Sequence, residues 1–493
     1  MKSSVELRTA PPAAPPKLKR ELGTSMSTAL VAGNMIGSGV FLLPAALAAV
    51  MVTSGSGSLL AWVFTGVGAM LLALVFAVMG RAYPRTGGPY AYTQRAFGDF
   101  AGFWTAWGYW IAAWVGNAAI TVAFVAYLGV FWPTLISNHF VAALVGIATI
   151  WVLTAINIAG VRRSGIVQVA TTVLKFVPLA LIGIIGLFYM HGANFHPFAP
   201  HGFGTGKGMI GGITTAAALT LWAFIGLESA TIPAEEVKNP RKTIPRSTIW
   251  GTLVTTLVYI LATVAIVGII PAATLQNSNA PFADAARVMF GGGSFLGLTW
   301  GKLVALIALI STFGALNGWI LIQGRVPLAA AQDGLFPKQF AKVSEKRGTP
   351  VFGLVVSSVL ISGLMLLNYN ASLVNQFYNV ILLATLTTLV PYAFAAAAEL
   401  YMMFTDRAAF NGRKIAWNVG VALLGFAYAV WAMIGSGNKT IAWGFLLLMG
   451  GIPVYVYVKW RRSRELTAEL EAIETNGHKS VPMPIDMGVH IGS

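Results

Sequence analysis

Long apolar runs without charge alternate with short polar connections over most of the chain. Residues 57–80, for example, carry no ionisable side chain. A bilayer core about 30 Å thick is crossed by roughly 20 apolar residues in an α-helix, so runs of this kind are long enough to span a membrane. The pattern predicts twelve transmembrane helices, at residues 25–51, 57–80, 100–131, 140–160, 164–190, 210–234, 247–270, 296–324, 351–367, 376–404, 415–435 and 440–458.

The composition favours the same fold class, an all-α integral membrane protein. Of the 493 residues, 56% are hydrophobic and only 10% are charged, which is too little charge to cover the surface of a soluble protein of this size. The absence of cysteine excludes disulfides, thiolate metal sites and cysteine nucleophiles.

The formal net charge of +16 follows the predicted membrane topology. When the N-terminus is placed inside, most Lys and Arg residues fall on the inner side, as is typical of cytoplasmic loops. This distribution predicts cytoplasmic tails at residues 1–23 and 459–493. No basic patch is interleaved with base-stacking aromatics, so a lipid bilayer and not a nucleic acid is the expected partner. The basic residues that fall elsewhere are Lys207, Arg287, Lys302 and Lys439 near the outer surface and Lys175 within a span.

Two interruptions occur at corresponding places in two five-span halves, which run through the membrane in opposite senses. The first span is interrupted at Gly37-Ser38-Gly39, and the sixth has Gly226 beside Glu228. Small residues in membrane helices often only allow close helix packing. Two corresponding breaks, one next to a carboxylate, instead favour a transporter binding site. The predicted units are residues 24–190, 210–404 and 415–458.

The chemistry of such breaks indicates a ligand. Backbone groups freed inside a membrane are tolerable only where something polar meets them. The helix that begins near Gly39 offers free N–H groups and the positive end of its dipole, which suit a carboxylate. Carbonyls freed before that break and in the sixth span suit an ammonium. A ligand that carries both charges on adjacent atoms is an α-amino acid.

Two uncharged residues within spans have both a structural and a functional interpretation. Asn117 shares a helix face with Tyr109 and Ala113, and either a helix–helix hydrogen bond or a ligand contact would satisfy its amide. Trp319 follows Gly318 deep in the eighth span, where it either packs in the core or stacks on a cation.

Two ionisable side chains lie well inside predicted spans. Glu228 is the one carboxylate expected there, and it must be protonated, paired or exposed to water. Lys175 lies about eleven residues, or about 16 Å, from the inner end of its span. That depth is large for a snorkelling side chain, so it favours a functional ammonium that exchanges protons.

Six segments occur in the order found in one transporter family. They are GNMIGSGVFLLPAALA at 33–48, GGPYAY at 87–92, YWIAAWVGNAA at 109–119, LWAFIGLESA at 221–230 with VKNPRKTIPRST after it, NGWILIQGR at 317–325 and DGLFPKQFAKV at 333–343. On these residues the chain resembles the amino acid–polyamine–organocation (APC) superfamily, and within it the basic amino acid/polyamine antiporters. Within that family the chain resembles the bacterial arginine/agmatine antiporters, over roughly residues 24–458.

The resemblance implies a LeuT-like 5+5 inverted repeat with discontinuous helices 1 and 6, in a bacterial inner membrane and often as a homodimer. It implies alternating access around one central site, with exchange of a cationic amino acid such as arginine for its decarboxylated amine such as agmatine. Because one ligand gradient drives the other, no metal and no other cofactor is implied. The expected activity is transport and not enzyme catalysis.

Taken position by position, the resemblance also implies residue roles. The substrate carboxylate would be held by Gly37, Ser38 and Gly39, and its ammonium by the carbonyls of Met35, Trp222 and Ile225. The far end of the substrate side chain would meet Asn117 and the main chain of Ala112 and Ala113, with Trp319 stacked on it. The gates would be formed by Tyr109, Trp222, Glu228 and Tyr392. The groups implied in proton or pH coupling are Tyr90, Glu228 and Lys175.

The chain also departs from the arginine/agmatine antiporters. Alanine replaces small polar residues at Ala113, Ala223 and Ala384, and Lys175 corresponds to a lysine of proton-coupled members of the superfamily. A proton-coupled symporter or exporter of neutral amino acids that uses Lys175 is therefore the alternative. A third hypothesis, a membrane enzyme or haem-bearing subunit, is disfavoured because the six His residues offer no inward-facing pair at haem or zinc spacing.

Overall fold

The computed structural model describes residues 22–37, 39–85, 87–159, 174, 176, 179–295, 297–345, 347–410 and 415–475. These residues are mostly helical, so the all-α fold class is confirmed. The first half comprises α1 Thr24–Met35, α2 Gly39–Ser54, α3 Leu60–Ala82, α4 Pro89–Leu128, α5 Thr134–Ser137, α6 His139–Ala159 and α7 Leu179–Tyr189.

The second half has the same character, with one small hairpin on an extramembrane connection. Its helices are α8 Met209–Trp222, α9 Pro240–Ile269, α10 Ala272–Leu275, α11 Pro281–Phe290, α12 Trp300–Gln332, α13 Val351–Asn368 and α14 Leu373–Thr405. The hairpin pairs β1 Ser294–Phe295 with β2 Leu298–Thr299 in antiparallel register. The described chain ends with α15 Ile415–Gly435, α16 Asn438–Met449 and α17 Gly451–Thr475.

Ten helical segments of the described residues are long and apolar enough to cross a membrane, and the first runs from Thr24 to Ser54 across its interruption. The two remaining predicted spans correspond to the shorter apolar helices α7 and α8. Most of the fifth span before α7 lies outside the described residues. Helix α8 is short because the sixth span leaves the α-helical conformation at Trp222. Transmembrane helices 1 and 6 are therefore discontinuous, as predicted.

Several helix ends differ from the predicted span boundaries, and three of them show why. Helix α4 begins at Pro89 and not at residue 100, because helical structure continues through a kink at Gly98, where φ is 80°. The eighth span begins at Trp300 and not at residue 296, because the hairpin occupies the preceding residues. The last span is predicted to end at residue 458 with a short surface helix after it, and the structure joins the two in one continuous helix, α17, which runs to Thr475.

The packing of the long helices positions the site. Helix α4 packs against α14 and α12, and α9 packs against α1 and α3, so the elements around both interruptions meet at the centre of the bundle. One end of the bundle, called the basic end below, holds the loops that follow α3, α12 and α14. It carries the ion pairs Arg95–Asp406, Lys459–Asp99 and Lys338–Glu465, at 3.3, 2.6 and 2.7 Å.

Candidate substrate site and gate

The first interruption separates α1 from α2. Ile36 leaves the helical conformation, with φ −75° and ψ 80°, and the Gly37 N–H donates to the Met35 carbonyl two residues before it. Helix α2 starts again at Gly39, and Ser38 lies outside the described residues. The first N–H groups of α2 therefore point into the break without a preceding helical turn to accept them.

The second interruption follows α8 and turns at Gly226. From Ala223 to Thr231 the backbone hydrogen bonds span three residues instead of four, so the chain forms successive tight turns. Gly226 has φ 113°, which an L side chain rarely adopts. A Cβ atom there would lie 3.1 Å from the carbonyl carbon of Asn34 and 3.2 Å from the nitrogen of Met35. Glycine is thus required both by the backbone conformation and by the close approach of the first break.

Two side chains join the two breaks. The Tyr259 hydroxyl, on α9, donates to the Met35 carbonyl at 2.6 Å and lies 3.1 Å from the Ala223 carbonyl. The Asn34 amide donates to the Ser229 hydroxyl at 2.9 Å. Tyr259 is 0% exposed, so water cannot reach the backbone carbonyls at this point, and the Tyr259 hydroxyl supplies a hydrogen bond in its place. The breaks form one connected polar centre inside an apolar bundle.

Three residues surround the empty space at this centre: Trp222, Ile225 and Trp319. They line two small spaces of about 10 Å³ each. Each space has room for about one water molecule and not for an amino acid. One is also bounded by Met35, Gly37 and Gly39 of the first break, and the other by Ala112 and Gly116 of α4.

Trp222 closes the centre by packing directly on neighbouring backbone. A Cβ atom at Gly116 would lie 2.7 Å from the Trp222 ring, and one at Gly39 would lie 3.1 Å from it. Both glycines therefore make the ring position of Trp222 possible. A substrate can enter only if Trp222, Trp319 or both move.

The Glu228 carboxylate forms a buried hydrogen-bonded cluster beside the second break. One oxygen accepts from the Tyr109 hydroxyl at 2.5 Å, and the other accepts from the Tyr392 hydroxyl and from the Gly226 N–H at 3.1 Å. Glu228 is 0% exposed. The cluster joins α4, α14 and the second break, so it can hold these elements together in one arrangement.

A larger cavity lies between this cluster and the basic end. Its volume is about 210 Å³, and its lining includes Tyr90, Ser229, Arg325 and Tyr109. Tyr109 also lines the central space next to Trp222. The Tyr109 ring therefore separates the cavity from the centre. At the cavity's edge the Tyr90 hydroxyl donates to the Asp333 carboxylate at 2.6 Å.

The structure brings together most, but not all, of the residues that the sequence predicts at the site. Asn117 donates to the Gln323 amide oxygen at 2.7 Å and lines neither central space, and Ala113 is likewise buried away from both. The helix–helix hydrogen bond, the structural interpretation of Asn117, is what this conformation contains. Lys175 lies outside the described residues. No group of three potential metal ligands occurs in the part of the chain that the structure describes.

Sequence reasoning missed three polar residues. Tyr259 lies in the middle of an apolar run, away from the membrane interfaces where Tyr usually occurs, and that position is the available signal. Gln323 lies beside the end of the predicted eighth span, close to Arg325, and its position gives no such signal. The third is Glu399 in α14, which is 0% exposed. Glu228, the one carboxylate expected well inside the membrane, is therefore joined by a second carboxylate that is buried within the helix bundle, six residues before α14 ends at Thr405.

Comparison with known proteins agrees with these features. The sequence pattern of the family described as "Amino acid permease" matches residues 22–457. The putrescine transporter PotE of Haemophilus influenzae is 32% identical over 442 residues, which cover 90% of this chain and 98% of that protein. PotE of Escherichia coli K12 is 31% identical over 445 residues, covering 90% and 97%. The cadaverine/lysine antiporter of E. coli K12 is 30% identical over 467 residues, covering 93% and 99%.

These similarities extend over nearly the whole membrane region and not over a single motif. The discontinuous helices 1 and 6 fit the LeuT-like fold of the same superfamily. The chain therefore belongs to the basic amino acid/polyamine antiporter family of the APC superfamily, and it is a membrane transporter and not an enzyme.

Proposed function

We propose that the protein exchanges a cationic amino acid for its decarboxylated amine by alternating access, with an arginine-like substrate and an agmatine-like counter-substrate. The basic end would face the cytoplasm, because loops rich in Lys and Arg remain on that side of a membrane. The substrate carboxylate would bind at the start of α2, near Gly39, and its ammonium at the Ile225 carbonyl.

The observation that carries the proposal is the position of the Glu228 cluster. It lies between two breaks that can hold a zwitterion and a cavity that leads to the basic end. An amine that lacks a carboxylate could still donate to the freed carbonyl oxygens of the two breaks. The same site would therefore accept the decarboxylated amine as the exchange partner. A cationic side chain would find two aromatic faces, Trp222 and Trp319, instead of a basic residue in the central spaces.

The relatives support the cationic class. Their names specify putrescine for PotE and cadaverine with lysine for the antiporter of E. coli, and each of these is a linear molecule with a terminal amine. The finer choice among arginine, ornithine and lysine is tested by counterflow. Purified protein in liposomes loaded with agmatine, putrescine or cadaverine is given labelled arginine, ornithine or lysine.

We expect uptake of a cationic amino acid only into liposomes that contain an amine, unaffected by a protonophore. Trp319→Leu should weaken that uptake. Empty liposomes and liposomes loaded with alanine are the matched controls. Equal uptake into empty and loaded liposomes would refute exchange.

A proton-coupled symporter or exporter of neutral amino acids is the second candidate. It is favoured by Ala113, Ala223 and Ala384, which are buried and offer no polar side-chain atom. Uptake of a neutral amino acid that collapses with a protonophore would establish this alternative. In that case Lys175→Ala should change the dependence of transport on pH more than it changes substrate binding.

A further inference from the structure

A second carboxylate is buried away from the Glu228 cluster. Glu399, on α14, is 0% exposed, and neither of its carboxylate oxygens has a hydrogen-bond partner among the described residues. Most buried polar groups in proteins have such partners, so an unpaired carboxylate requires an explanation.

The titratable groups on the surrounding elements do not supply a partner. Helix α14 packs against α2, α3, α4, α8, α15 and α16 and against the turn at residues 407–409, whose Arg407 is exposed and forms no ion pair with Glu399. Asp406 bonds to Tyr83 and Arg95, Asp99 pairs with Lys459, and Tyr109 and Tyr392 bond to Glu228. The other titratable groups of these helices form no hydrogen bond or ion pair with Glu399 in the described part of the chain: Arg81, Tyr90, Tyr92, Tyr127, Tyr378, Tyr401, Tyr428 and Lys439.

The energetics of burial fix the charge state. Placing an ionised, unpaired carboxylate in an apolar interior costs more free energy than the whole net stability of a typical folded domain. Because no described residue offers Glu399 a partner, its burial favours the neutral form in this conformation, with a proton on the carboxyl group. Even the neutral acid leaves its O–H unpaired, which destabilises the fold relative to an apolar side chain of similar size. A purely structural role does not account for it.

The position of Glu399 relates it to transport. It follows Tyr392 by seven residues, so the two positions lie on nearly one side of α14, about 10.5 Å apart along the helix axis. Asp406, seven residues further on, is the first residue after α14. Tyr392 bonds to Glu228, and Asp406 lies at the basic end. Glu399 is thus midway between the Glu228 cluster and solvent.

We propose that Glu399 is a proton-binding site of the transport cycle, separate from Glu228. Its carboxyl group holds a proton while the Glu228 cluster is closed. When α14 moves to open that cluster, water reaches Glu399 from the basic end, and the O–H bond breaks to leave a carboxylate and a hydrated proton. Closure requires that the proton return, because the carboxylate cannot be buried alone.

Infrared difference spectroscopy tests the charge state directly and needs no substrate. The spectrum of purified wild type minus that of Glu399→Gln should contain the C=O stretching band of a protonated carboxylic acid. Glu235→Gln, at an exposed glutamate, is the matched control and should give no such band. Absence of the band from the Glu399→Gln difference spectrum would mean that Glu399 is ionised, and it would overturn the proposal. If Glu399→Gln fails to fold, a protonated band that persists in Glu228→Gln protein provides the same test.

The rate of exchange measured as a function of pH tests the role of Glu399 in the transport cycle. This second experiment rests on the proposed function, whereas the infrared experiment does not. Wild-type exchange should slow in alkaline buffer, where the return of the proton fails. Glu399→Gln is neutral at every pH and should lose that alkaline inhibition, whereas Glu235→Gln should retain it. If the curves of transport rate against pH are identical for wild type and Glu399→Gln, the proton does not leave Glu399 during the cycle, and the proposal is wrong. Absence of transport by every variant, with the infrared band present, would count against the proposed function alone.

Discussion

The connection between the two helix breaks can be removed by deleting one oxygen atom. In Tyr259→Phe the ring remains, and its contacts with Trp62 and Phe224, at centroid distances of 5.5 and 5.7 Å, are retained. The hydroxyl that joins the Met35 and Ala223 carbonyls is lost. The substitution therefore isolates the hydrogen bond from the packing.

The expected cost follows from what each carbonyl retains. The single hydroxyl proton of Tyr259 is donated to the Met35 carbonyl, which still accepts from the Gly37 N–H at 2.8 Å after the substitution. The substitution therefore removes one buried hydrogen bond, and Tyr259→Phe should lower the free energy of unfolding by about 0.5–1.5 kcal/mol. Because both breaks lose their connection, exchange should also slow.

The assay is reversible unfolding in detergent, with transport measured in parallel. Tyr428→Phe is the matched control, because the Tyr428 hydroxyl is buried and joins no backbone carbonyl in the described part of the chain. Its free energy of unfolding should not fall, because no hydrogen bond to a backbone carbonyl is lost. Equal stability of Tyr259→Phe and wild type would refute the view that Tyr259 satisfies the freed carbonyls.

Three further predictions concern the site and the basic end. Gly226→Ala places a side chain on a backbone with φ 113° and brings its Cβ atom within 3.1 Å of the Asn34 carbonyl carbon, so it should destabilise the protein by about 2–5 kcal/mol. Gly363→Ala, at an exposed glycine, is the control, and an equal thermal shift in the two variants would contradict this. Trp319→Leu should weaken binding of a cationic amino acid by about 0.5–2 kcal/mol in calorimetry, and unchanged affinity would remove the residue from the site. The Tyr83 hydroxyl and the Arg95 guanidinium hold the pKa of the Asp406 carboxyl below its usual range. The stability that these contacts give is present above the pKa of Asp406 in the unfolded chain and is lost as pH falls through its pKa in the folded protein. Asp406→Asn should therefore lose less stability on acidification than wild type, and identical acid unfolding curves for the two proteins would contradict this.

The sequence was sufficient for the fold class and for the location of the two breaks. Uncharged runs of membrane length and the glycines at Gly37, Gly39 and Gly226 are local signals, and each has a local physical cause. The boundary at Pro89 failed because helix continues through polar residues that hydropathy alone assigns to a loop. The boundary at Trp300 failed in the opposite way, because hydropathy assigns Leu298 to the span although it pairs in the hairpin.

The site was predicted less completely, because its contacts join residues that are far apart in the chain. Tyr259 bonds to residues in α1 and after α8, and no pattern near residue 259 indicates those partners. Asn117 has two interpretations in the sequence, and only the position of Gln323 across the helix interface distinguishes them. Glu399 is buried by the packing of several helices, which the sequence does not specify.

The account depends on a zwitterion bound between the two interrupted helices, and a structure determined by cryo-electron microscopy in the presence of arginine tests this most directly. We expect the ligand carboxylate within hydrogen-bond distance of the N–H groups at the start of α2 and the ligand ammonium at the Ile225 carbonyl, with Trp222 or Trp319 displaced. Continuous α-helical hydrogen bonding through residues 36–39 and 223–228, or arginine bound outside these breaks, would contradict the account.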